Sequence, residues 1–440
     1  MEGEKQNMFI EFIHNHPYIS LSLFSFLINI PFGFIRENCQ KFSLKWFFWI
    51  HASIPFIVYG RYALHLSSAL VPLNIALAVL GQTGGGLWRL KRRSPEEEER
   101  FQHVYVPDMN GPEGINDAEA AVVLLNMGGP RHQDEIRDYQ LRLFSDPLLI
   151  RFPFSFMFQK IFAWLLTYGR SKKVLRRYQS IGGGSPIYES TFHQTKALAD
   201  ALKKRGREME VLFCFNYSRP LPKDVVEDLM KKKKKVILPL SLYPHYSQAT
   251  TGSSVYYLKK AARKFSAGLR FCSTPEYYLH EGYIRALCDR IGEQINSGES
   301  LKDFYLVFSA HSLPHYFIAE GDPYPFQVSQ TVAAILSRLH RTTRWSLAYQ
   351  SAVGPLPWLK PSVPELMKAL VRRGVEKVLI VPVSFVSDHL ETLCDIDREF
   401  RRMAEKLGIQ DFRMTKAVEC HPAFIQALAD AVESVFPPAA

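Results

Sequence analysis

With 440 residues, 47% of them hydrophobic and 22% charged, the chain has room for two or three packed domains and lacks the composition of a disordered protein. Its 54 basic and 43 acidic residues leave a net charge of +11, which suits an anionic membrane surface or acidic ligands; no nucleic-acid motif accompanies it. The six cysteines (Cys39, Cys214, Cys272, Cys288, Cys394 and Cys420) fall in no CxxC or CxxH spacing, so neither a disulfide framework nor a zinc site is indicated, and a reduced compartment is expected.

Residues 1–93 are rich in Phe, Ile, Leu and Trp and poor in acidic residues, and predict an α-helical transmembrane anchor. Three apolar stretches, Tyr18 to Ile35, Trp46 to Tyr59 and roughly Ala63 to Leu80, approach the length that crosses about 30 Å of hydrocarbon, with Pro31, Pro55 and Pro72 interrupting them. Arg36, Lys41 and Lys45 follow the first stretch, and Arg89, Lys91, Arg92 and Arg93 follow the third. If all three cross, both groups share one side, which the positive-inside rule makes the cytoplasm. A secretory signal peptide fits poorly, because the start MEGEKQN has no basic n-region and the apolar character runs through three segments. Residues 94–117, with EEEER at Glu96 to Arg100, read as a solvated linker.

From Ala118 onward, apolar β-rich runs alternate with helical patterns. Strands are expected at about 120–126, 210–217, 236–242 and 268–273, then 304–310, 345–350, 377–385 and 412–418. This is the α/β pattern of two Rossmann-like halves, 118–295 and 296–440, each a parallel four-stranded sheet covered by helices, with the last helix (Pro422 to Phe436) crossing back onto the first half. The segments NMGGP, NYSRP, YPHYS, AHSLP, QSAVGPLPW and SFVSDHLE each follow an expected strand, and ligands of such sheets bind beyond the carboxyl ends of the strands. One large cleft between the halves is therefore expected. The run Lys231 to Lys235 reads as a solvated turn between helix and strand.

His311 follows the strand FYLVFSA, and a neutral imidazole there can accept a proton and pass it on, although a lone strand-end histidine is more often structural. Glu391, Asp395 and Glu399 recur every four residues on an expected helix, one turn after Asp388, and so line one face. Such a stripe can draw a divalent cation inward or conduct protons outward, with Arg398, Arg401 and Arg402 close enough in sequence to neutralise it. Cys394, whose helix neighbours Leu390 and Leu393 are apolar, reads as packed core. The glycines at 128–129 and 182–184 form no GxGxxG or Walker pattern, so no nucleotide is expected.

Taken together, LLNMGGP (Leu124 to Pro130), IGGGSPI (Ile181 to Ile187), YPHYSQATTGSS (Tyr243 to Ser254), SAHSLP (Ser309 to Pro314) with GDPYP, QSAVGPLPWL (Gln350 to Leu359) and VSDHLETL stand in an order that resembles the ferrochelatase family over about Ala118 to Phe436. The resemblance implies insertion of ferrous iron into protoporphyrin to give protohaem, with coproporphyrin, cobalt or nickel as the alternative substrates and a non-catalytic haem-binding membrane protein as the alternative class. It implies that His311 accepts pyrrole protons, that Glu391 is the catalytic carboxylate, and that His311, Glu391, Asp395 and Glu399 handle the metal, with His389 a second candidate ligand. It places Met127 on the opposite porphyrin face, and Tyr178, Tyr217, Trp358 and Phe385 are aromatic candidates for the pocket or its rim. Phe152 to Arg170 coincides with the family's apolar lip, here followed by Lys172, Lys173, Arg176 and Arg177. Gln248 stands where some members carry a cluster-binding cysteine, and no cysteine-rich tail follows Phe436, so no iron–sulfur cluster is expected. Asn216, Gln179 and Ser180 depart from basic residues common in the family, leaving Arg176, Arg177 or Arg219 to anchor propionates. The implied partners are porphyrin, haem and membrane lipid, with the catalytic region in the cytoplasm.

Overall fold

Among the described residues eight strands, all paired in parallel, form two separate sheets. The first holds β1 (Ala120–Asn126), β2 (Glu210–Phe215), β3 (Val236–Ser241) and β4 (Arg270–Phe271) in the order β2-β1-β3-β4. The second holds β5 (Tyr305–His311), β6 (Arg344–Gln350), β7 (Lys377–Pro382) and β8 (Asp411–Met414) in the order β6-β5-β7-β8. This computed structural model describes residues 15–37, 39, 44–90, 115–150, 155–265, 268–340, 343–352 and 356–436. The chain divides into two units, residues 1–102 with 151–159, and residues 103–150 with 160–440. Lys41, Lys91 to Arg93, Glu96 to Arg100 and Phe152 to Phe154 lie outside the described residues, and with them most of the expected linker and the start of the expected lip.

Parallel pairing requires a crossover between strands, and helices supply it. They are α5 (Ile136–Phe144), α6 (Ser155–Gln179), α7 (Ile187–Lys204), α8 (Pro222–Lys231), α9 (Ser253–Lys264) and α10 (Glu281–Gly292) in the first half. In the second half they are α11 (His315–Ala319), α12 (Tyr324–Arg338), α13 (Val363–Arg372), α14 (Arg401–Leu407) and α15 (Pro422–Val435). With both faces covered, the central strands are buried almost end to end, which is why β1 and β3 read as continuous apolar runs instead of alternating ones. All the expected strands form, but several stop early. β2 ends at Phe215 and β7 at Pro382, after which single bonds carry on the ladder: the Tyr217 N–H donates to Met127 O (3.2 Å) and the Val383 N–H to Ser309 O (3.0 Å). Beyond these points the backbone turns into the loops at the strand ends.

The halves are clamped by the GDPYP segment. Buried Asp322 accepts hydrogen bonds from Ser247 Oγ (2.9 Å), the Gln248 N–H (2.8 Å) and the Tyr324 N–H (3.1 Å). Gln327 accepts from the Tyr246 N–H at 2.6 Å, and His245, pushed by burial down to about 3 and therefore neutral, pairs with Thr331 Oγ1 at 2.8 Å. At the far edge α15 returns to the first half, where Arg205 pairs with Asp430 and Glu433 and the Phe424 ring packs on Tyr277 and Tyr283. The Lys231 to Lys235 turn is not merely solvated: Lys231 pairs with Glu227, Lys232 with Asp228 and Glu210, and Lys235 with Glu119. It offers no unbalanced basic patch.

The N-terminal unit holds α1 (Pro17–Arg36), α2 (Leu44–His51), α3 (Ile54–Ala63) and α4 (Val71–Leu90). α1 and α4 lie side by side in the same direction, since Ser25 bonds Asn74 and Asn29 accepts from Gln82. Gly33 and Gly85 allow this approach, because a Cβ at either would overlap the facing backbone. The middle stretch is broken: α2 and α3 are 8 and 10 residues long, and Pro55 in the first turn of α3 ends the run before it. In series they run back along α1, with Trp49 stacked on Phe32 and Ser53 donating to Asn29. Among the described residues two helices, Pro17–Arg36 and Ser68–Trp88, are long and apolar enough to cross a membrane, where three spans are expected. Ser25, Asn29, Ser53, Asn74 and Gln82 are buried, whereas Leu23, Leu27, Ile75 and Val79 are exposed.

Because Asp322 satisfies three donors that burial would otherwise leave unpaired, Asp322→Ala is expected to lower unfolding free energy by about 2–3 kcal/mol. Urea denaturation followed by near-ultraviolet circular dichroism measures this.

Candidate active site

The carboxyl end of β5 delivers His311 half exposed, and its N–H donates to Ser384 Oγ (3.1 Å) just beyond β7. Its Nδ1 lies 2.6 Å from the Ser312 carbonyl. A carbonyl only accepts, so the neutral ring carries its hydrogen on Nδ1 and leaves Nε2 as the base. Nε2 faces Glu391 Oε1 at 3.5 Å, and Ser351 Oγ donates to the other carboxylate oxygen at 2.9 Å. Ser351 holds this position at φ +66°, in the left-handed region.

Burial opposes charge on both partners, yet the pair prevails over it. Burial raises the Glu391 carboxyl, but His311, His389 and the Ser351 hydroxyl outweigh it and hold the group well below the usual carboxylate range. Burial lowers the His311 imidazole, and Glu391 together with the Ser312 carbonyl more than reverses this, lifting it above 6.5. For His389 burial wins and the ring is held neutral. Phe385 stands between the two imidazoles, its centroid 6.4 Å from His311 and 4.6 Å from His389.

From the first half, β1 ends at Asn126, and the Met127 N–H donates to Asn126 Oδ1 (2.8 Å) and the Tyr243 hydroxyl (3.1 Å), which fixes the backbone while the half-buried side chain stays at the strand end. Gly128 follows at φ +81°, where a Cβ would overlap Ser218 and Phe215. The hydroxyls of Tyr139, Tyr178 and Tyr243 are raised chiefly by burial and further by the Glu391 charge, which places these residues within its electrostatic reach.

Residues 119–435 match the family model described as Ferrochelatase. A ferrochelatase of Synechocystis sp. is 38% identical over 314 residues, 71% of this chain and 81% of the relative. One of Gloeobacter violaceus is 39% identical over 318 residues, 72% of this chain and 97% of the relative. The chain belongs to the ferrochelatase family. It is a porphyrin metal chelatase that inserts iron into a porphyrin in haem synthesis. A solved structure described as SirB from Bacillus subtilis with Fe3+ covers 72% of this chain and 96% of its own at 14% identity and a TM-score of 0.42.

In this ferrochelatase not every aromatic expected at the pocket can face it. Tyr217 is 3% exposed, and its hydroxyl donates to Asp146, which also accepts from Tyr257 at 2.7 Å. Tyr178 is 4% exposed and packs with Ile136 and Val174 beside Leu390. Both are buried: Tyr178 is walled in by apolar neighbours, and Tyr217 spends its hydroxyl on a buried acid. Trp358 is half-buried and bridges to Pro314, on the loop that follows His311. Tyr139, Tyr243, Ser384 and Ser351 were not singled out from sequence, although Ser351 lies in QSAVGPLPWL. Its left-handed backbone is a tertiary property that no residue type announces.

The acidic run departs furthest from expectation. Glu391 to Phe400 is a π-helix and not an α-helix; its i→i+5 bonding still keeps residues four apart nearly in line, and such turns occur often at functional sites. Asp395 is not neutralised by the neighbouring arginines: Arg401 pairs with Asp397, and Arg177 of α6 reaches Asp395 and, at 3.8 Å, Glu399. Cys394 is buried, as expected, but its Sγ and oxygens of Asp395 and Glu399 lie within 4.8 Å of one another. Of the three arginines considered for propionates, Arg177 is thus engaged, and Arg219 pairs with Asp224 at 3.0 Å.

Two outcomes follow from this geometry. A base must be unprotonated, and Glu391 raises the imidazole, so the turnover rate should rise with pH through a midpoint on the alkaline side of the ordinary histidine value. In Glu391→Gln that midpoint should move down while the maximal rate falls, both read from initial rates between about pH 5.5 and 9. Ser351→Gly and Ser351→Ala both remove the hydroxyl and should lower kcat alike. Glycine also releases the left-handed strain, so it should be the more stable variant by about 1 kcal/mol in thermal melts.

Proposed function

We propose that His311 and Glu391 together carry out ferrous iron insertion into protoporphyrin. Two N–H bonds of the macrocycle are exchanged for bonds to iron, two protons leave, and no redox change occurs. The neutral Nε2 of His311 takes one pyrrole proton, the ionised Glu391 stabilises the imidazolium, and that proton is released by way of the Glu391 carboxylate to solvent before Nε2 takes the second. The observation that carries this reading is the Nε2 to Oε1 approach of 3.5 Å between the end of β5 and the start of the π-helix that follows the adjacent β7, with Nδ1 committed to Ser312.

Met127 presses on the opposite porphyrin face with a flexible thioether, and Trp358 and Phe385 supply apolar contact on the His311 side, with Tyr178 and Tyr217 as supports. Asp395 and Glu399 lead ferrous iron towards Glu391; imidazole and carboxylate ligands bind it without the grip that a thiolate set would impose.

Residues 1–93 hold the enzyme at a bilayer with the chelatase unit, halves 118–295 and 296–440, on the cytoplasmic side. Support comes from the inverted arrangement of the N-terminal unit, whose polar side chains bond one another inside while its large apolar side chains lie outside. On α6, Ile161, Trp164, Leu165 and Tyr168 are likewise exposed, followed by Lys172, Lys173 and Arg176, an arrangement suited to the apolar and headgroup layers of a membrane surface.

Purified protein incubated anaerobically with ferrous iron and either protoporphyrin or coproporphyrin, and followed by its absorption spectrum, tests the reaction. Protohaem should form fastest; preference for coproporphyrin, or for cobalt or nickel over iron, would replace the substrate assignment, and no metalloporphyrin at all would refute catalysis. Protein shortened to begin at Ser94 should retain turnover of a water-soluble porphyrin and lose rate chiefly with porphyrin held in vesicles. Loss of activity towards the soluble substrate in a folded shortened protein would show that residues 1–93 enter the site.

A further inference from the structure

The last two turns of α6 rest on the π-helix. Val174 and Tyr178 pack in a cluster that includes Leu390, Ser180 Oγ lies 3.9 Å from Cys394 Sγ, and between them Arg177 ion-pairs with Asp395 and approaches Glu399. The ion pair is largely shielded, with side-chain exposures of 22% for Arg177 and 17% for Asp395. The guanidinium thus occupies the same carboxylates that would receive a divalent cation, beside Cys394. Two positive groups cannot share those oxygens without repulsion. α6 is one continuous helix, so at 1.5 Å per residue its exposed Trp164 stands about 20 Å along the same rod from Arg177.

We propose that Arg177 is a tethered counter-ion for the acidic ladder. It holds Asp395 and Glu399 while no metal is bound, and ferrous iron displaces it, so that metal entry and release of the last turns of α6 are linked. The proposal rests on the reading of Asp395 and Glu399 as the iron route. Linkage is reciprocal: whatever draws the carboxyl end of α6 off the π-helix strengthens metal binding to the ladder, and metal on the ladder frees α6 by the same factor.

The test uses the full-length protein in detergent micelles with Co2+ alone and no porphyrin, its affinity read by competition with a fluorescent chelator. Arg177→Gln should bind Co2+ about fivefold tighter or more, the lower end of usual coupling factors, with Arg177→Lys intermediate because it keeps the charge but loses the planar fork. Unchanged or weaker binding in Arg177→Gln would overturn the latch. The double substitution Asp395→Asn with Glu399→Gln in the wild-type background separates the two readings: if it leaves Co2+ affinity untouched, the ladder itself is not the metal route and the latch falls with it. A measurement that needs no Arg177 variant is hydrogen exchange of residues 174–181 in the wild type, which should quicken on saturation with Co2+; unaltered exchange would equally overturn the proposal.

Discussion

Strand order governs what this molecule can do. In each sheet the chain lays its first strand beside the second, then reverses and places the third on the other side of the first, so a crevice opens beyond the carboxyl ends of the first and third strands. Met127 and Tyr243 follow β1 and β3, while His311 ends β5 and the segment leading to Glu391 leaves β7. Two residues 80 positions apart meet within 3.5 Å because parallel pairing aligns the ends of adjacent strands. Asp322, Gln327 and His245 lock the two crevices into one unit.

Within that crevice, burial and charge are balanced by few polar groups. A carboxylate removed from water is costly unless opposed, and here the His311 imidazole and the Ser351 hydroxyl oppose it. The result is an imidazole lifted above its ordinary range beside a carboxylate that stays ionised. The neighbouring carboxylates follow different rules. Asp395 is held by an arginine from another helix, whereas Glu399 is more than half exposed.

The two units are organised by opposite patterns of polarity. In the chelatase unit apolar side chains fill the cores between sheets and helices. In the N-terminal unit Asn29 is a buried hub for Ser53 and Gln82, Arg36 donates to Gln82, and leucines and valines face outward. Such a bundle is suited to a surrounding medium that is itself apolar, where hydrogen bonds between helices and close backbone approach at glycine supply the cohesion.

The sequence by itself determined the eight strands, their parallel arrangement in two halves, and the six segments that gather at their ends, because central parallel strands must be apolar on both faces and loops at strand ends must carry the polar chemistry. It also singled out His311 and Glu391 as candidates for the reacting pair, through their place in those segments, and the fold brings the two within 3.5 Å. Tertiary structure decided what depends on long-range contact. The π-helix arises in a stretch whose four-residue acidic spacing suits an α-helix equally well. Arg177 lies more than 200 residues from Asp395 and is brought to it only by the seating of α6. The left-handed Ser351 is held by surroundings that no local pattern records. Tyr178 and Tyr217 carry the same side chain as an exposed aromatic, and only packing buried them. In the N-terminal unit Pro55 was visible, but that the chain would break into two short helices running back along α1 depended on Asn29, Ser53 and Gln82 finding one another. Periodicity records which face of an element is apolar; the partner each polar atom finds across the fold is set by the contacts that folding creates.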